Sequence, residues 1–166
     1  SELTFHYWFW KNLLDTKSYD WIGFCQKRRY WIKKKSVNLK IDETNIYENL
    51  ISNIEEEWNG FNAVICSPVS LNKVKKVKMI KRGFRSLISN PAIFFDEKKQ
   101  SINFHFDMHH GYGNLKKAID VMNDKDRDDF RKYVNSSYIY NPHLMFIAKP
   151  FIIDKWFQDL FTWLYR

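Results

Sequence analysis

The sequence predicts an α/β fold with a central sheet flanked by helices. Two short apolar runs, residues 21–25 and 61–66, have the length and density of buried strands. Segments with apolar residues three or four apart alternate with these runs, as in helices that cover a sheet. The chain closes on one more apolar run and a strongly amphipathic aromatic helix.

Each element follows from its own pattern. Residues 2–14 place Leu3, Tyr7, Trp10 and Leu14 at helical spacing, and the polar residues 15–19 end that helix. Residues 21–25 read as a buried central strand running into the basic loop 26–29. Residues 42–58 predict a second helix with Ile46, Leu50, Ile51, Ile54 and Trp58 on one face and Gly60 as its stop. Residues 61–66 form a strand closed by Ser67-Pro68, and residues 74–88 a helix that Gly83 weakens. Between Pro91 and His110 two patterns compete. Ile102, Phe104, Phe106 and Met108 alternate like a strand, whereas Ile102, Phe106 and His110 fit a helix. Residues 115–122 and 125–134 read as short helices, the second capped by Asp124. Residues 138–148 read as a strand and 151–164 as the last helix. No repeat or linker interrupts the chain, so residues 1–166 read as one unit.

Composition narrows the class. With 45% hydrophobic and 28% charged residues, 5 Gly and 4 Pro, the chain is neither disordered nor of low complexity. The mean hydropathy is −0.53, and no apolar run approaches the roughly 18 residues of a membrane span. Cys25 and Cys66 lie in apolar runs and read as buried thiols of a reducing compartment. No basic-then-apolar signal segment opens the chain, which starts Ser1-Glu2-Leu3 without methionine, as a processed or partial chain would.

The net charge of +8 is unevenly spread. Lys27, Arg28, Arg29, Lys33, Lys34 and Lys35 form one acid-free cluster. Lys73, Lys75, Lys76, Lys78, Lys81, Arg82 and Arg85 form another. Together they hold 13 of the 27 basic residues, leaving 14 against 19 acidic ones elsewhere. Such polarity suits a phosphate ligand, a nucleic acid or an anionic membrane surface, and a lysine-rich solvated face accounts for it equally well.

Arg28 and Arg29 are the sharpest candidates, since a guanidinium matches phosphate oxygens and a strand end in an α/β sheet is where ligands bind. A pair of surface arginines is the plainer alternative. Asp107, His109 and His110 form the one place where histidines adjoin a carboxylate. They could hold a divalent metal or supply a general base to a sugar hydroxyl. A pair of surface or core-edge histidines fits as well, and on a strand His109 and His110 would point to opposite faces. Tyr7, Trp8, Phe9 and Trp10 surround the first helix; Tyr7 and Trp10 read as core, while Trp8 beside Lys11 could stack on a base or sugar ring. The common Gly-rich phosphate loops, a serine nucleophile elbow and a zinc spacing are all absent from the sequence.

These residues also carry a resemblance. Glu2-Leu3-Thr4, residues 7–12, and residues 19–25 running into Arg28-Arg29-Tyr30 resemble a bacterial polysaccharide-synthesis family. That family is catalogued as domain of unknown function forty-four twenty-two, found in capsule and O-antigen gene clusters and grouped with GT-A glycosyltransferases. Residues 141–149, the final aromatic helix and Trp163-Leu164 match its tail. Gln26 and Lys27 stand where the family has His-Tyr, and the family's upstream strands do not appear.

The resemblance implies a GT-A-like, Rossmann-like sheet, partial at its N-terminal side, and hexosyl transfer from a nucleotide sugar to a glycan or lipid-linked glycan acceptor. Glu2, Thr4, Trp8, Lys11, Arg28, Arg29 and Asn141 would then hold the donor and its phosphates, and Asp107, His109 and His110 would serve catalysis. No Asp-x-Asp follows residues 21–25, so cationic side chains can stand in for the divalent metal (Mn or Mg) that many GT-A enzymes use. The expected location is the cytoplasm, with the basic segment 73–85 on the inner face of the membrane. A basic, aromatic-rich nucleic-acid-binding module is the alternative reading, and a non-catalytic remnant of the fold is a third.

Overall fold

The computed structural model describes residues 2–71 and 74–166, which form two compact units. Lys73, the first residue of the second basic cluster, lies outside the described residues. The protein is mixed α/β, with seven α-helices and sheets of three and two strands among the described residues.

The first unit comprises residues 1–66 and 143–161. Its sheet runs β1 (Ile22–Phe24), β5 (Phe146–Ala148), β2 (Ala63–Ile65), all antiparallel. The register pairs Phe24 and Ile65 with Phe146, and Gly23 and Val64 with Ile147, so successive residues face opposite sides. One face carries Phe24, Phe146 and Ala148 into a core closed by Ile153, Phe157 and Phe161 of α7 (Pro150–Leu164). Tyr7, Phe9 and Trp10 of α1 (Glu2–Asn12) pack against it, and His6 lies among the rings, 4.6 Å from Phe24 and 5.5 Å from Phe157.

The structure corrects three sequence expectations here. Residues 21–25 contain an edge strand, not the central one; β5, buried throughout, is central. Cys25 is exposed and Cys66 only half-buried, so neither is a core thiol. Residues 42–58 do not make one helix: α2 (Ile46–Asn49) is a single turn, followed later by a 3-10 turn at Glu56–Trp58. Long-range pairing wins over the helical pattern. The Lys33 amide donates to the Asn49 carbonyl, and the Ile51 amide to that of Trp31, which draws Leu50 into extended backbone.

The second unit comprises residues 67–142 and 162–166. Here β3 (Val69–Ser70) pairs antiparallel with β4 (Ile139–Tyr140). Residues 138–148 therefore form two strands in different sheets, with Pro142, which has no N–H to give a ladder, between them. Helix α3 (Lys76–Ser89) packs Met79 and Gly83 against Phe104 and Met108 of α4 (Ile102–His110). The competing patterns after Pro91 resolve as helix. The Ser101 hydroxyl accepts from the Phe104 amide at one end, and Gly111 sits at φ 96° at the other. Helices α5 (Asn114–Asp120) and α6 (Asp124–Ser136) close a second cluster through Leu115, Ile119 and Val134. Asp124 lies in the first turn of α6, not at its cap; that place belongs to Asn123, and Asp124 pairs with Arg127 at 2.8 Å.

Among the described residues no helix is long and apolar enough to cross a membrane.

Candidate functional site

In the first unit the chain leaves β1 through a tight turn, in which the Arg29 amide donates to the Gln26 carbonyl at 3.0 Å. Arg28 sits in the middle of it at φ 66°, a left-handed conformation that no other non-glycine residue adopts among the described ones. Backbone of this kind disfavours a branched or long side chain, and such strain concentrates at sites of function. The Arg28 side chain is exposed. Arg29 instead turns to His143, its Nη1 lying 2.7 Å from Nε2 and 2.9 Å from Nδ1 of the ring. A guanidinium only donates, so the imidazole accepts. Sequence reasoning did not find His143, a lone histidine far along the chain. Burial pushes the Cys66 thiol up, while the Arg29 charge pulls it the other way.

The other expected donor residues of this unit lie along α1. Glu2 accepts from Gln26 Nε2 at 3.1 Å, tying the helix start to the arginine turn. Thr4 and Trp8 are exposed, Trp8 stacking on Phe5 at 6.2 Å. Lys11 places its ammonium 3.4 Å from the centre of the Trp10 ring, which holds it on the protein's own aromatic surface.

On the sheet face away from α1 lies a cleft of about 540 Å³. Gly23 and Ile147 form its floor, and Trp21, Tyr30, Trp31 and Trp58 its walls. Ser52 and Asn53 also line it, and no charged side chain does. The Trp31 indole donates to the Phe24 carbonyl at 3.0 Å, which fixes its ring against the edge strand. Flat apolar walls with neutral hydroxyl and amide groups suit a sugar ring.

The second unit holds the other candidate residues. Asp107 lies on α4, is 6% exposed, and accepts at both oxygens: from the Ser86 hydroxyl at 3.0 Å and the Gly113 amide at 3.0 Å. The second bond fastens the loop 111–113, whose two glycines have φ 96° and 78°. Tyr112 of that loop meets the Ser89 hydroxyl at 2.9 Å.

Two clefts border this carboxylate. One, of about 690 Å³, is lined by Lys81, Arg82 and Arg85 of α3 together with His109. The other, of about 540 Å³, is lined by Ser89, Asn90, Ser101, Asn103, Asn135 and Ser136, with Lys98 and Lys99. Ser86, Asp107 and Tyr112 line both. The Asn103 carbonyl oxygen is buried without a hydrogen-bond partner.

His109 lines the larger cleft with Asp107, and both lie on a helix, not a strand. Its Nδ1 donates to the His105 carbonyl at 2.8 Å. His110 packs at a tilt against Phe106, ring centres 4.5 Å apart, and lines neither cleft. Burial lowers the pKa of His105, with His109, Lys78 and His110 adding to the effect. Asn141, half-buried after β4, lines none of the three clefts.

The surroundings of Asp107 do not fit a divalent metal. Asp107 is the single carboxylate lining its clefts, and three cations share the larger cleft. Among the described residues, no three His, Cys, Asp or Glu side chains gather closely enough to hold a metal ion.

No curated protein and no solved structure matches the chain. One family does, over residues 1–166, and the chain belongs to it: Domain of unknown function (DUF4422).

Proposed function

We propose that the chain is a glycosyltransferase domain that moves a sugar from a nucleotide-sugar donor to a glycan acceptor in cell-surface polysaccharide synthesis. One observation carries the reading: a buried carboxylate borders both a cleft walled by three cations of α3 and a cleft rich in hydroxyl and amide groups, which also holds Lys98 and Lys99. Transfer needs both surroundings. The acceptor hydroxyl loses its proton to a base as its oxygen bonds to the anomeric carbon, and the bond from that carbon to the diphosphate breaks. Asp107 would take the proton. Lys81, Arg82 and Arg85 would balance the charge that develops on the departing diphosphate, without a metal in the step. The GT-A-like sheet, the inner-membrane location and the donor role of Arg28 belong to the same proposal, supported by the resemblance described above. The aromatic cleft of the first unit adds a surface suited to a sugar ring.

The test is a panel of nucleotide sugars offered to the longest natural chain, read by thermal shift and by release of nucleoside diphosphate. Stabilisation by one donor, with slow diphosphate release even without acceptor, is the expected result. A single-stranded oligonucleotide that binds more tightly than any nucleotide sugar, with a steep salt dependence, would favour a nucleic-acid module instead. Donor binding without turnover under any acceptor would indicate a non-catalytic remnant.

A further inference from the structure

Helix α3 buries Met79, Gly83 and Ser86 and leaves most of its larger apolar side chains in solvent. Val77 is 65% exposed, Ile80 51%, Phe84 59% and Ile88 65%. At about 100° per residue these four fall in a sector roughly 80° wide, away from the buried face. Lys76 borders the stripe on one side, and Lys78, Lys81 and Arg85 border it on the other. The helix carries no acidic residue. A solvated lysine-rich face needs no apolar stripe, and this helix has one running along most of its length.

We propose that α3 is an interfacial helix, which docks this chain on the surface of an anionic lipid bilayer. The stripe would enter the boundary between headgroups and acyl chains, while Lys76 and Lys78 at its borders, which line neither cleft, meet lipid phosphates. Two features favour lipid over other occupants. Protein–protein interfaces are depleted in lysine relative to the rest of a protein surface, whereas Lys76, Lys78 and Lys81 edge this stripe. A nucleic acid would satisfy the cations but leave Val77, Ile80, Phe84 and Ile88 in water. The inference rests on the membrane location in the proposed function and deepens it, but lipid binding is read without donor or acceptor, so it fails separately from sugar transfer.

The experiment is vesicle flotation of the full chain, with neutral phosphatidylcholine vesicles beside vesicles that also contain phosphatidylglycerol. The chain should float with the anionic vesicles and remain behind with the neutral ones. Ile80→Ser combined with Ile88→Ser keeps the charge and touches neither cleft; it should weaken binding roughly tenfold or more, because two apolar anchors are lost. Lys76→Gln with Lys78→Gln should reduce the preference for anionic lipid. A melting curve on each variant excludes unfolding as the cause, and Val77→Ser replaces any pair that melts early. The proposal is overturned if the wild-type chain ignores anionic vesicles, if the serine variant binds them as tightly, or if an oligonucleotide displaces the chain from them.

Discussion

A Cβ atom on Gly83 would lie 2.7 Å from Cε2 of Phe104, so α3 meets α4 at the point where α3 has no side chain. Gly83→Ala raises helix propensity by about 1 kcal/mol. Against that gain, the Phe104 ring is 2% exposed and Met108 Cγ lies 3.1 Å from the same position. Overpacking of this kind costs about 1–3 kcal/mol and outweighs the propensity. Urea denaturation should therefore show a lower midpoint for Gly83→Ala, recovered in part by adding Phe104→Leu. An unchanged midpoint would mean that the ring can swing aside.

Asp107 can be probed without dismantling its surroundings. An asparagine can still accept from the Gly113 amide and, with its NH2 group, donate to the Ser86 hydroxyl. Asp107→Asn should then fold with nearly normal stability and bind donor nucleotide, yet lose transfer activity. Asp107→Ala leaves the Gly113 amide without its acceptor and should lose about 1–3 kcal/mol of stability as well. Full turnover in Asp107→Asn would assign the carboxylate to holding the loop 111–113.

The left-handed backbone at Arg28 separates stability from binding. Arg28→Gly removes a conformational penalty of about 1 kcal/mol and should raise the melting temperature. The same change removes an exposed guanidinium, and with it a charge-assisted contact worth about 1.5–3 kcal/mol to a phosphate. Calorimetric titration with donor nucleotide should show at least roughly tenfold weaker binding in the more stable protein. Arg28→Lys should rescue poorly, because it keeps the charge but loses the planar fork. Undiminished affinity in both variants would remove Arg28 from the site.

Acid should weaken the fold through two histidines. Burial lowers the pKa of His6 below its ordinary 6.5, with Glu2 opposing, and lowers that of His105 in the same direction. The unfolded chain then binds more protons than the folded one between each lowered value and 6.5. The stability these neutral imidazoles contribute is complete above 6.5 and is lost as pH falls through that window. Melting temperature should drop on acidification from pH 7, and His105→Gln should flatten part of the slope. A wild-type profile that is flat as pH falls from 7 through 6.5 and below would contradict the assignment, since the unfolded imidazoles take up protons there while the folded ones resist.

The local signals that set the ends of α4 are in the sequence itself. Ser101 and Gly111 bracket α4, a cap signal that decides between the two apolar patterns because backbone amides and carbonyls at helix ends need partners. Tyr7 and Trp10 read correctly as packing residues, whereas Trp8, which the pattern left open, proves exposed. The candidates Asp107 and His109 were visible because a carboxylate and histidines stood together in the chain. Four things were decided by tertiary structure alone. Strand order depended on which apolar run found partners on both sides, and β5 did where β1 did not. Residues 42–58 gave up a helical pattern because backbone pairing with residues 31–33 satisfied the same groups. His143 joined Arg29 from 114 residues away, a distance over which no local pattern carries information. The apolar stripe of α3 could have been core or surface by spacing alone; Gly83 decided it, because the close approach of Phe104 turned the small face of the helix inward and left the large one outside.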